Sequence, residues 1–423
     1  MTSTPHVAIC ILNWNGKPLL ERYLPHLFTL DYPDYQIYVV DNGSDDNSVA
    51  YLHSLPAVHL ILLKKNMGFG PAYNQAIPEI EADIYVLLNN DVEVRPDWLS
   101  RLVAPLINDA QIGVTGSKLY FGDGQTLQHA GADLQYPRAN GRHRFYRETD
   151  VGQADKQCDV GYVTGAAMAI HRRVLADIGL FDPEFAPFYY EEVDFCRRTQ
   201  QAGFRVVYVP DSVALHHESV SMRKNHAAMF HYLQRNRLYY ILKHDTPAQF
   251  LDAFVPAEKA YLPNFTPEQR QIMHTVYLET ALKLPPLQSR SNVNRTRPAY
   301  VSALFDLAET AVSPPPLPEP APLQEFTFPT GAGLLRQVWF SVGGKWAARH
   351  LIQQQNQLNR HIFRQIKYLT AAEHTSAAET SLLTGELTRT NLRLAQTIET
   401  LTDEIDGLHA RLEKLEAQKE AGE

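Results

Sequence analysis

The sequence predicts an α/β fold, a mostly parallel mixed sheet with helices on both faces, followed by a C-terminal α-helical coiled coil. Three observations carry this prediction. Between residues 5 and 245, short apolar runs alternate with helix-length segments, the pattern of strands buried on both faces of a parallel sheet. Each of the first four runs ends in a polar cluster, and ligands of such sheets sit beyond the carboxyl ends of the strands. Beyond a proline-rich break, residues 330–423 are free of proline and end in a leucine heptad.

The runs follow in order. Val7-Ala8-Ile9-Cys10-Ile11-Leu12 ends at Asn13-Trp14-Asn15-Gly16, and residues 36–40 end at Asp41-Asn42-Gly43-Ser44. Residues 58–63 lead to Asn66-Met67-Gly68, and residues 84–88 to Asn89-Asn90-Asp91. Val213-Ala214-Leu215 ends at His216-His217, on the same expected sheet edge. Residues 1–245 are expected to form one domain and 246–312 a helical extension broken by prolines. A linker at 313–329 follows, with six prolines between 314 and 322, an extended and semi-rigid composition.

In the tail, Leu387, Leu394, Leu401, Leu408 and Leu415 recur every seven residues, and Asn391, Ile398, Ile405 and Leu412 stand three before the last four. Isoleucine at a, leucine at d and one polar a residue favour a parallel two-stranded coiled coil. A homodimer joined over about residues 380–418 is therefore expected. Trp339, Lys345, Trp346 and Arg349 interleave aromatic and basic side chains, which suits peripheral contact with a membrane interface.

At 423 residues and 44% hydrophobic, the chain can bury a core without covalent staples. A formal charge of −8 argues against a general nucleic-acid-binding surface. Three cysteines, Cys10, Cys158 and Cys196, are too few for a disulfide framework and suit a reducing compartment. The first apolar run is too short for a signal segment. A cytoplasmic chain is expected, peripheral at most to the inner face of the cell membrane.

Four constellations carry chemistry. Asp41, just past a strand end, is placed either to accept from a nucleobase imide or ribose hydroxyl or to cap its own turn. Asp91 stands where a divalent cation, magnesium or manganese, would bridge a carboxylate and a diphosphate. Glu191-Glu192-Val193-Asp194 packs three carboxylates behind the aromatic run Phe188-Tyr189-Tyr190. On a helix Glu191 and Asp194 share a face and Glu192 points elsewhere, and crowded carboxylates beside aromatic rings raise one another's pKa, as suits a general base. Of His216 and His217, adjacent on a strand, at most one faces a metal. Gly68-Phe69-Gly70 lacks the third small residue of a dinucleotide fingerprint and follows the third strand instead of the first; it suits close approach of backbone to a ligand.

Taken in order, Asn13-Trp14-Asn15-Gly16, Asp41-Asn42-Gly43-Ser44-Asp45, Asn66-Met67-Gly68-Phe69-Gly70 with Asn74, Asn89-Asn90-Asp91-Val92, Gly165-Ala166-Ala167, Phe181-Asp182, Glu191-Glu192-Val193-Asp194, His216 and Arg235-Asn236-Arg237 resemble the family 2 glycosyltransferases, in particular their rhamnosyltransferase-like branch. The resemblance covers about residues 5–245. It implies a GT-A fold and inverting transfer from a nucleotide-sugar, dTDP-rhamnose or a UDP-sugar, to a growing or lipid-linked glycan in surface polysaccharide or O-antigen synthesis. By the same analogy Asn13, Asp41, Asn66, Gly68, Asn90 and Asp91 bind the donor, and Asp91 and His216 hold the metal. Glu192 stands at the base position, with Glu191 and Asp194 shaping the acceptor site. Many members have aspartate where this chain has Glu192. The competing reading is a catalytically silent sugar-nucleotide-binding scaffold.

Overall fold

The computed structural model describes residues 4–217, 226–282 and 293–312. The proline-rich segment, the tryptophan-containing tail and the heptad lie outside the described residues. The chain divides into two compact units, one of Met1–Val293 and Asp306–Pro315, the other of Asn294–Phe305 and Pro316–Glu423.

In the first unit β1 (Val7–Asn13), α1 (Lys17–Tyr23), β2 (Tyr35–Asp41), α2 (Ser48–His53), β3 (Val58–Leu62), α3 (Phe69–Ala76) and β4 (Ile84–Asn89) alternate as expected. A short β5 (Val92–Val94), α4 (Trp98–Asn108) and β6 (Ile112–Tyr120) follow. Small strands come next: β7 (Leu127–His129), β8 (Ala132–Gln135), β9 (Asn140–His143) and β10 (Cys158–Asp159). The chain then runs through β11 (Ala167–His171), α5 (Arg172–Ile178), α6 (Glu191–Gln201) and β12 (Arg205–His216). The helices α7 (His226–His244), α8 (Val255–Tyr261) and α9 (Pro267–Leu282) complete the described part of this unit up to Leu282, and α10 (Val293–Val312) follows.

The main sheet runs β10-β12-β6-β11-β4-β1-β2-β3. Strands β3, β2, β1 and β4 are mutually parallel. The strand β11 lies antiparallel between β4 and β6, and β12 runs parallel to β6. This is the mostly parallel mixed sheet that the sequence predicts. One antiparallel strand leaves β12 pointing the same way as β1–β4, so His216 comes to the edge where Asn13, Asp41 and Asn89 end. The register makes this explicit, with Asn13 opposite Asp41 and Leu12 opposite Asn89.

The strands are continuous apolar runs because both faces are covered: Val7, Ile9, Val39 and Val86 are fully buried on one face, and Ala8, Cys10, Val40 and Leu87 on the other. Trp98 at the start of α4 packs into this core and donates its indole N–H to Ser117 Oγ at 2.9 Å. Helices α8 and α9 belong to this same unit. Glu258 on α8, fully buried, accepts from Arg138 Nε at 2.7 Å, from Arg237 on α7 and from Tyr277 on α9 at 2.7 Å. A buried carboxylate is held only when such partners meet its charge.

Candidate active site

At the carboxyl edge of β1, β2 and β4 a cleft of about 520 Å3 opens, lined among others by Trp14, Asn42, Asn66, Gly68, Asn90, Asp91 and His216. Its floor is a polar lattice. Asn13, fully buried, donates Nδ2–H to Asp41 Oδ2 at 3.0 Å and accepts at Oδ1 from Asn90 Nδ2 at 2.9 Å. A Cβ at Gly16 would come within 2.4–2.5 Å of Asn90 Nδ2 and Asn13 Oδ1, so glycine there leaves room for this pair.

Asp41 does not line the cleft. It is 1% exposed, and its oxygens accept from Ser44 N at 2.9 Å, Ser44 Oγ at 2.7 Å and Asn13. By accepting from Ser44, Asp41 caps the turn that follows the strand. Its neighbour Asn42, one step along the alternation, reaches the cleft instead. Asn42 Oδ1 accepts from Met67 N at 2.9 Å, and its Nδ2 donates to Asn66 Oδ1 at 3.1 Å and Gly68 O at 3.2 Å. The loop after β3 is thereby locked against the end of β2. Gly68 sits at φ +84°, and a Cβ there would meet the Pro187 carbonyl oxygen at 2.4 Å. The glycine thus serves the approach of two loops as well as the cleft wall.

At the far side of the cleft stand Asp91 and His216. His216 Nδ1 faces Gln128 Oε1 at 2.7 Å. An amide oxygen only accepts, so Nδ1 carries the proton and Nε2 presents its lone pair in the neutral ring. That lone pair lies 3.1 Å from Asp91 Oδ1, with Asn89 Nδ2 at 3.4 Å. The two form an ion pair when the ring is protonated, and when it is neutral they stand at the spacing of adjacent ligands on one small cation, with the imidazole oriented from behind as metal-binding histidines are. Among the described residues no three His, Cys, Asp or Glu side chains gather to hold a metal. The protein's share would be these two donors, which suits a hard cation completed by phosphate oxygens and water. His217 faces the other way, stacking on Tyr23 and pairing with Glu93 at 3.1 Å.

The three carboxylates of α6 separate completely. Two residues in left-handed conformation, Tyr189 (φ 78°) and Tyr190 (φ 68°), deliver the chain into the helix. Such strain persists where surroundings enforce it: Asn236 Nδ2 on α7 lies 2.6–2.9 Å from the carbonyls of Phe185, Phe188 and Tyr189. Glu192 faces a cavity of about 280 Å3 with Tyr162, Tyr189, Gln234 and Arg237. Tyr189 also walls the cleft at the strand ends. Burial pushes the Glu192 carboxyl above the ordinary glutamate range.

Glu191 and Asp194 turn inward, and neither lines a described cavity. Glu191 is 5% exposed and its Oε2 has no hydrogen-bond partner; burial and then the neighbouring Glu192 charge push it well upward. Asp194 is fully buried and accepts from Arg198 Nε at 2.8 Å, Lys243 Nζ at 2.7 Å and His244 Nε2 at 2.7 Å. Burial alone would raise it, but the His244 hydrogen bond and the Arg198 and Lys243 charges hold it at about 2. Through Lys243 and His244, Asp194 pins α6 to the end of α7. Sequence reasoning passed over Gln128, whose partner lies 88 residues away, and gave no role to Asn236 of the Arg235-Asn236-Arg237 motif, whose partners lie about 50 residues away.

Part of the chain is similar to known glycosyltransferases. Residues 8–179 match glycosyl transferase family 2. The O-antigen biosynthesis protein RfbC of Myxococcus xanthus is 32% identical over 232 residues, 52% of this chain and 18% of that protein. The N-acetylglucosaminyl-diphospho-decaprenol L-rhamnosyltransferase of Mycobacterium tuberculosis is 25% identical over 267 residues, 57% of this chain and 85% of that one. A structure of GalNAc-T7 with UDP, GalNAc and Mn2+ aligns with TM-score 0.49 and 14% identity, covering 73% of this chain and 56% of that one. The chain spans a quarter or less of the length of some relatives it matches. Its N-terminal unit carries a glycosyl transferase family 2 domain.

Proposed function

We propose that the chain is a metal-dependent, inverting glycosyltransferase that moves a sugar from a nucleotide-sugar to a hydroxyl of a growing or lipid-linked glycan. The observation that carries this reading is the Asp91–His216 pair, 3.1 Å apart at the wall of a cleft of about 520 Å3. Asn42, Asn66, Gly68 and Asn90 offer polar contacts there, and Trp14, 53% exposed, offers an indole face to a base. When bound, a magnesium or manganese ion would neutralise the charge developing on the leaving diphosphate. Asp91 and His216 would hold it.

Glu192 is the base. Its carboxylate takes the proton of the acceptor hydroxyl while that oxygen forms its bond to the anomeric carbon. The bond to the diphosphate breaks on the opposite face, so configuration inverts. The raised pKa of Glu192 brings it nearer the operating pH, where a general base works best. The names of the relatives support dTDP-rhamnose or a UDP-sugar as donor and O-antigen-like surface polysaccharide as product. The heptad supports a homodimer, and the tail tryptophans support contact with the inner face of the membrane.

Release of nucleoside diphosphate from a panel of nucleotide-sugars, with manganese and with chelator, tests the reading. Release from one nucleotide class, abolished by chelator and by Asp91→Asn, is expected. Release that ignores both would remove the metal from the mechanism.

A further inference from the structure

Behind the metal-ligand candidate His216 lies a second cavity of about 530 Å3, bordered by Gln128, Arg142, His143, Phe145, Tyr146 and Glu148. It shares His216 with the donor-side cleft and Gly141 and His143 with the Glu192 cavity, so it touches both halves of the site. Its outer wall is a turn after β9 in which Phe145 (φ 55°) and Arg147 (φ 66°) are both left-handed. Backbone hydrogen bonds hold that turn: Arg147 N to Leu127 O at 2.8 Å, and Leu127 N to Glu148 O at 2.8 Å. Non-glycine residues kept in that region mark places where the surroundings enforce a conformation. Here the result is Tyr146, 45% exposed, standing over the cavity, with His143 edge-on at 6.0 Å.

The wall chemistry selects the occupant. A lipid chain needs a continuous apolar surface, and this wall is interrupted by Gln128, Arg142, Glu148 and Thr164. A diphosphate needs several uncompensated cations. Arg142 shares the wall with Glu148, and burial keeps the His129 imidazole well below its ordinary pKa and therefore neutral. Aromatic faces beside planar hydrogen-bonding side chains suit a polyhydroxylated ring, apolar on one face and polar at its rim.

Resting on the glycosyltransferase reading above, we propose that this cavity is an acceptor subsite that binds the sugar ring next to the reacting one, with Tyr146 as its stacking platform. The reacting ring occupies the Glu192 cavity, and the following ring crosses Gly141 and His143 onto Tyr146. The enzyme therefore recognises an acceptor of at least two sugars.

Saturation-transfer NMR on the full-length protein tests this, with UDP, dTDP or GDP and manganese present. The probes are methyl glycosides of glucose, galactose, N-acetylglucosamine and rhamnose, and the disaccharides that extend each by one hexose. At least one disaccharide should bind more tightly than its monosaccharide. Tyr146→Ala should weaken it roughly tenfold, about the loss of one stacked ring, while leaving the monosaccharide unchanged, and Tyr146→Phe should retain binding. Disaccharides bound no better than monosaccharides, or equal loss of both in Tyr146→Ala, would overturn the subsite. Calorimetry of the same nucleotides keeps the two readings apart: failure of every nucleotide to bind the wild type counts against the glycosyltransferase reading, whatever the sugars do.

Discussion

Helix α6 carries two kinds of carboxylate within one turn. Asp194 is buried among Arg198, Lys243 and His244 and held at about 2. Glu192 faces a cavity, and burial pushes it upward. Both share the helix's first turn, whose dipole favours negative charge, so the dipole cannot separate them. The difference comes from α7, which supplies Lys243 and His244 to one face of α6 and, through Gln234 and Arg237, part of the cavity wall to the other. A carboxylate that neighbours have neutralised is structure, whereas one left without a cation keeps a proton affinity that chemistry can use.

Substituting the two residues separates these roles, and the largest effect is expected at Glu192. Glu192→Gln should lower transfer by roughly 10³-fold, the range for loss of a general base, with nucleotide affinity kept within twofold by calorimetry. Asp194→Asn should do the reverse. Removing one partner of a buried ion cluster costs about 3 kcal/mol, visible as a lower urea midpoint, while nucleotide affinity of the folded protein stays near wild type. Equal stability losses in both variants would erase the distinction.

Gln128 extends the contrast to the metal side. If it orients His216, Gln128→Leu should weaken manganese binding in the presence of nucleotide by roughly 10-fold, read by manganese electron paramagnetic resonance. The smallest effect is in pH dependence. Asp194 and Glu258, both held at about 2, contribute stability that is present above the ordinary carboxylate range and is lost as pH falls toward 2. Glu192 works the other way: its raised pKa moves the acid limb of the rate profile above that of an ordinary glutamate. Activity should therefore fall with acid well before the melting temperature does.

How far the site could be read in advance follows the same line. The apolar runs and their polar ends were legible because burial on both faces writes itself as uninterrupted Val, Ile and Leu, as in residues 84–88. The edge clusters around Asn13, Asn66, Asn90 and Asp91 follow from strand direction alone. Helical spacing also predicted that Glu191 and Asp194 would share a face away from Glu192. It could not tell what met that face, since Lys243 and His244 lie about 50 residues on. Nor could it choose between Asp41 and Asn42, which one residue of strand alternation separates. The β8–β9 hairpin and the turn bearing Tyr146 left no periodic trace: their shape rests on left-handed residues and long-range backbone bonds.

Thermal shift with UDP-, dTDP- and GDP-sugars, each in manganese, magnesium or chelator, tests the donor site most directly, because a ligand of the folded state raises apparent stability by mass action. A rise with one nucleotide class that disappears in chelator is the predicted result. No rise with any donor, or the same rise in chelator, would contradict a metal-dependent nucleotide-sugar site built on Asp91 and His216.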